Sequence, residues 1–153
     1  MLANRSYHAE QKGVLALLTH APFEFHLTGS RLFGYEGSQS DWDFFVDEKT
    51  APGLHLLVWL RNNGFHKESD RDYSGTIGIT QIWRHGVDPL HIQIVEDAKM
   101  KADVQNALAG SFGRSLGAFS KTQRKLIWNA AFYIFSAGEE RTARSIVGFQ
   151  ARA

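Results

Sequence analysis

Apolar residues at Val14, Leu15, Leu17 and Leu18 line one helical face, which predicts a helix over residues 8–20, interrupted by Gly13 and ended by Pro22. The period then changes to two. Residues 23–28 read as a strand, and residues 41–46 as another, with Trp42, Phe44 and Val46 on one face and Asp41 and Asp43 on the other. A helical turn over 30–33 and a Gly-rich loop over 34–40 lie between them. Leu54, Leu57, Val58 and Arg61 mark a helix that follows Pro52 and stops at Asn62-Asn63-Gly64. Residues 65–68 read as a short edge strand. Thr76, Ile77, Ile79, Ile82 and Trp83 predict a strand over 75–84, residues 85–89 a turn, and 90–95 the next strand. Helices are expected over 99–108 and 121–136, joined by a Gly/Ser-rich connection over 110–117. Trp128, Phe132 and Phe135 follow helical spacing and read as core. The polar tail after Gly138 is expected to fray, and the chain holds no internal repeat.

At 153 residues the chain suits a single domain, 1–153, with a core of about 10–96 and a C-terminal helical part of about 97–137. Eleven Phe and four Trp supply ample apolar surface to bury. Cysteine is absent, which excludes a disulfide framework, a thiolate metal site and a thiol nucleophile. The apolar runs are too short to span a bilayer and the first residues carry no secretory pattern, so a cytoplasmic protein without a membrane partner is expected. A formal net charge of +1 gives no global pull toward nucleic acid.

Candidate chemistry gathers around the first two strands. Asp41 and Asp43 share a face, and two adjacent carboxylates repel unless a cation lies between them. Hard oxygen ligands of this kind suit Mg²⁺ or Mn²⁺, which take further ligands from water and from a substrate phosphate. Just upstream, Gly29 allows close backbone approach, and Ser30 offers a hydroxyl and an N–H to a phosphate. The plainer reading of the aspartates is a solvated strand start.

Thr28-Gly29-Ser30, ten residues, then Asp41-Trp42-Asp43-Phe44 resembles the motif of the nucleotidyltransferase superfamily that includes DNA polymerase β and the minimal nucleotidyltransferases. Thr28 is less apolar than that pattern prefers. The resemblance implies an α/β (α+β) fold, with a small mixed sheet, helices packed on one side, and C-terminal helices. It also implies transfer of a nucleoside monophosphate from a nucleoside triphosphate, assisted by one or two metal ions. Asp41 and Asp43 would hold Mg²⁺ or Mn²⁺, Gly29 and Ser30 would grip the β- and γ-phosphates, and Arg31 would add a bidentate contact. In a chain this short the acceptor is expected to be a macromolecule, protein or RNA, unless a partner subunit or second copy completes the site.

The third acid of that family has no match in Pro89-Leu90-His91-Ile92-Gln93-Ile94-Val95. Alternation puts His91 in its place. His91 would then serve as a catalytic ligand or base, or Asp88 or Glu96 would reach in from a strand end, or the site would bind without turnover. The last option makes the chain an antitoxin- or inhibitor-like binding module. Trp83, Arg84 and His85 could line the cleft or simply occupy a strand end. Lys121, Arg124 and Lys125 open the last helix with a basic face, a feature more often solvated than functional.

Overall fold

Strand β2 (Trp42–Asp47) sends Trp42, Phe44 and Val46 to one helix pair and Phe45 to another, so its alternation sets the layering. The computed structural model describes residues 9–37, 40–50, 53–68 and 78–136, and of residues 9–14, 53, 54, 135 and 136 the backbone alone. The expected strand residues 75–77, the tail after Gly138 and the side chains of Val14, Leu54 and Phe135 lie outside the described residues. The other strands are β1 (His26–Thr28), β3 (Phe65–Lys67), β4 (Ile79–His85) and β5 (Leu90–Val95). They form one sheet in the order β1-β2-β5-β4-β3, in which only β2 and β5 run parallel. With its helices this is the mixed sheet of an α+β domain.

Helices α1 (Ala9–His20) and α3 (Gly53–Asn62) cover the first face. Leu15, Leu18, Leu56 and Leu60 pack there on Trp42, Phe44, Phe65, Trp83, Ile92 and Ile94. The C-terminal helices α4 (Ala98–Phe112) and α5 (Lys121–Ser136) cover part of the second face, where Val104 and Phe132 bury Phe45 and Val95. Phe132 is core as its spacing predicts, and Trp128 packs at the margin of the same cluster. Each fully buried Leu, Ile or Phe contributes roughly 1.5–3 kcal/mol from removed apolar area.

Two boundaries differ from the pattern. β1 begins at His26 rather than at 23 because Phe23 turns into the α1–α3 core, stacking edge-on against Phe25 and Trp59. Helix α4 runs through Gly110 to Phe112 and stops at Gly113, whose φ of 52° is the left-handed backbone a glycine supplies. A 3-10 turn over Gly113–Ala118 then leads to α5.

Between β1 and β2, the short helix α2 (Ser30–Phe33) ends at Gly34, also left-handed at φ 90°. The loop that follows carries Tyr35 under the start of α5.

Candidate active site

Register places one polar residue of every strand in a single row across the sheet. Thr28 pairs with Asp43, Asp43 with His91, His91 with Arg84, and Arg84 with His66. Directly paired residues share a face. The row therefore lies opposite Trp42 and Phe44, where the Asp41 and Asp43 side chains keep 31% and 22% of their surface in solvent.

His91 is the hub of this row. Its Nδ1 is 3.3 Å from Asp41 Oδ2 and 3.3 Å from Asp43 Oδ1, and its Nε2 is 3.3 Å from Glu68 Oε1. The Asp43 contact has hydrogen-bond geometry. Nε2 is buried and faces Glu68 off-line, without a formed hydrogen bond. Burial works to lower the imidazole pKa, but the Asp43 hydrogen bond and charge, joined by Asp41, outweigh burial and Arg84 together. The result lies above the ordinary 6.5.

Glu68 is the acid that sequence reasoning missed. It directly follows β3, and its amide donates to the Ile82 carbonyl at 2.8 Å, which fixes the end of the edge strand. Its Oε1 accepts from Arg84 Nε at 2.7 Å. That hydrogen bond first, with the charges of His91 and Arg84, holds the Glu68 pKa below the usual carboxylate range against modest desolvation. Arg84 Nη2 also lies 3.9 Å from Asp41 Oδ2. Arg84 thus belongs to the cluster, whereas Trp83 is core and His85 closes the β4–β5 turn. Neither strand-end acid joins it. The Asp88 carboxylate sits 3.5 Å from His85 Nδ1 in that turn, and Glu96 follows the opposite end of β5.

The two halves of the sequence motif meet in space. Gly29 has φ 73° and ψ −160°, and a Cβ built there would stand 2.6 Å from Asp43 Oδ2. Both backbone and space therefore require glycine. Ser30 opens α2, and its carbonyl accepts from the amides of Gly34 at 2.8 Å and Tyr35 at 3.2 Å. Thr28 departs from the apolar preference for a local reason. Its buried hydroxyl donates to Oε1 of Gln105, itself buried on α4.

Arg31 is only 7% exposed. Its guanidinium stacks 4.3 Å over the Trp42 ring, and Nη2 donates to the Ser40 carbonyl at 2.8 Å. These contacts fasten the loop to β2. Of the basic residues opening α5, Arg124 turns inward, 4.9 Å over the Tyr35 ring, while Lys121 stays exposed. Tyr35 stacks on Phe33, and Phe33 on Trp128. Burial and the nearby charge of Asp43 raise the Tyr35 pKa against the pull of Arg124, so this corner of α5 lies within electrostatic reach of the aspartates.

Among the described residues, no three His, Asp or Glu side chains already enclose an ion position. Asp41, Asp43 and His91 come nearest. Neighbouring ligands of an octahedral ion with 2.1 Å bonds are roughly 3.0 Å apart, and the nitrogen here stands 3.3 Å from each oxygen. A contraction of a few tenths of an ångström would bring the trio to ligand spacing. Two carboxylates and an imidazole are also a donor set suited to Mn²⁺.

Comparison of the chain with known protein families, with curated proteins and with solved structures gives no match. No helix among the described residues is long and apolar enough to cross a membrane.

The aspartate pair was legible because alternation alone puts both carboxylates on one face. Glu68 and Tyr35 were not, since nothing local fixes the register of a three-residue strand or the course of a Gly-rich loop.

Proposed function

We propose that the protein is a metal-dependent nucleotidyltransferase, moving a nucleoside monophosphate from a triphosphate to a macromolecular acceptor such as a protein or RNA. The observation that carries this reading is the packing of Gly29 against Asp43, with Ser30 beside it and Asp41 on the same face. A glycine-serine turn and a carboxylate pair that lie far apart in most folds are here in van der Waals contact.

Asp41 and Asp43 would hold Mg²⁺ or Mn²⁺, which when bound supplies charge neutralisation at the phosphates and acidifies the attacking hydroxyl. The chain's own groups do the rest. Ser30 and the Gly29 backbone orient the terminal phosphates beside Asp43. Arg31 holds the loop that carries them. His91, between three carboxylates, is placed to take a proton from the acceptor hydroxyl or to complete the ligand set. Incubation with labelled triphosphates, Mn²⁺ and candidate acceptors tests the reading. Transfer by the wild type that Asp41→Ala abolishes supports it, and no transfer by either protein removes it.

One observation favours a second reading, a binding module that has lost turnover. His91 Nδ1 contacts both aspartates and Arg84 stands near Asp41, so internal cations already balance the pair. Activity arising only in His91→Asp would decide for this antitoxin- or inhibitor-like role.

A further inference from the structure

Resting on the transferase reading, we propose that Glu68 positions His91 as a nitrogen ligand, so that Asp41, Asp43 and His91 form a mixed carboxylate–imidazole site selective for Mn²⁺ over Mg²⁺. An imidazole binds a metal through one nitrogen only when that nitrogen is unprotonated, and the other then carries the proton and needs an acceptor. In this fold the division of labour follows from position. Nδ1 faces the two aspartates at 3.3 Å, and buried Nε2 faces Glu68 Oε1 at 3.3 Å. With the proton on Nε2, Glu68 accepts it and the Nδ1 lone pair points between Asp41 and Asp43.

Glu68 is itself held in place for that task. Its backbone is tied to Ile82, and Arg84 grips the same Oε1 at 2.7 Å. Arg84 is the direct cross-strand neighbour of His91, so the acceptor and the ring are set by one register. The chain of groups runs Glu68, His91, ion position, aspartates. Such outer carboxylates orient the ring and raise its basicity as a ligand.

Metal choice follows from the donor set. Mg²⁺ prefers an all-oxygen shell and keeps its waters, whereas imidazole nitrogen suits Mn²⁺ and later divalent ions better. Replacing a third carboxylate by His91 therefore tilts the site away from Mg²⁺.

The test titrates Mn²⁺ alone, then Mg²⁺ alone, into the full chain, with pulsed electron paramagnetic resonance on the Mn²⁺ sample. The expected result is Mn²⁺ affinity about ten-fold or more above that for Mg²⁺, with a ¹⁴N coupling from the bound imidazole. His91→Asp should lose that coupling and narrow the preference. Glu68→Ala should weaken Mn²⁺ binding about ten- to a hundred-fold, and Glu68→Gln, which keeps an acceptor, should recover part of the loss. Thermal unfolding of each variant separates misfolding from a lost orienting contact. Bound Mn²⁺ without nitrogen coupling, or undiminished affinity in folded Glu68→Ala, overturns the proposal and leaves the transferase reading on its two aspartates. No Mn²⁺ binding by the wild type also overturns it. If triphosphate binding is then absent as well, the transferase reading falls too.

Discussion

Gly29→Ala is the substitution that most directly probes how the two halves of the site are joined. The native backbone at Gly29, φ 73° and ψ −160°, lies in a region open essentially to glycine, so an alanine there costs about 1–3 kcal/mol in strain alone. The new Cβ would meet Asp43 Oδ2 at 2.6 Å and the Asp43 Cβ and Cγ at 3.2 Å. Ordinary contact begins near 3.4 Å, so the carboxylate oxygen must withdraw by about 0.8 Å. A shift of that size breaks the Asp43–His91 hydrogen bond, a charge-assisted contact worth about 1.5–3 kcal/mol. Urea unfolding should therefore show a loss of about 2–5 kcal/mol. The double variant Gly29→Ala, Asp43→Ala separates the two causes, because without the carboxylate only the backbone strain remains. A coupling of about 1–3 kcal/mol between the two sites is expected. Strict additivity of the two losses would refute the argument that Gly29 and Asp43 constrain each other.

Three further outcomes follow from the same geometry. Gln105→Leu should cost about 1–3 kcal/mol by stranding the buried Thr28 hydroxyl, and adding Thr28→Val should restore most of it, as read by thermal unfolding. By NMR titration the His91 imidazole should show a midpoint above 6.5 that falls in Asp43→Ala, where burial loses its main opponent. Because this folded-state pKa is raised, the His91 contribution to stability is complete below about pH 6.5 and disappears as pH rises through the folded value, so the advantage of wild type over His91→Phe should shrink across that window. Arg31→Lys removes the planar stack on Trp42 and the Ser40 contact, and should cost about 1–2 kcal/mol in urea unfolding. Weakened triphosphate binding at unchanged stability would instead assign Arg31 to phosphate.

Much of the fold was legible because period decides faces. Leu90, Ile92 and Ile94 go to the α1–α3 core and His91 to the opposite side, as alternation requires. Boundaries were less legible where two identical residues behave differently. Gly110 sits within α4 and Gly113 ends it, and only the backbone angle tells them apart. The aspartate pair could be read from seven consecutive letters. Their partners could not, because Glu68 reaches His91 through two strand registers, β3 on β4 and β4 on β5. No pattern along the chain encodes such a sum. Thr28 shows the converse: a polar letter in an apolar slot looks like a defect until Gln105 arrives from α4.

Edge strand β3 joins the sheet through just three residue pairs, Phe65 with His85, His66 with Arg84 and Lys67 with Trp83. Short sheet margins open more readily than the strands they border. When this margin peels away, Glu68 leaves with it, and His91 keeps its aspartates while its outer nitrogen loses its carboxylate. The population of molecules with a whole site is thus governed by local opening at the rim rather than by the stability of the domain. An opening free energy of about 1.4 kcal/mol would leave roughly a tenth of folded molecules incomplete at any instant. Hydrogen exchange at the amides of His66 and Glu68 would measure that fraction directly, and anything that extends the sheet at β3 would raise it toward completion.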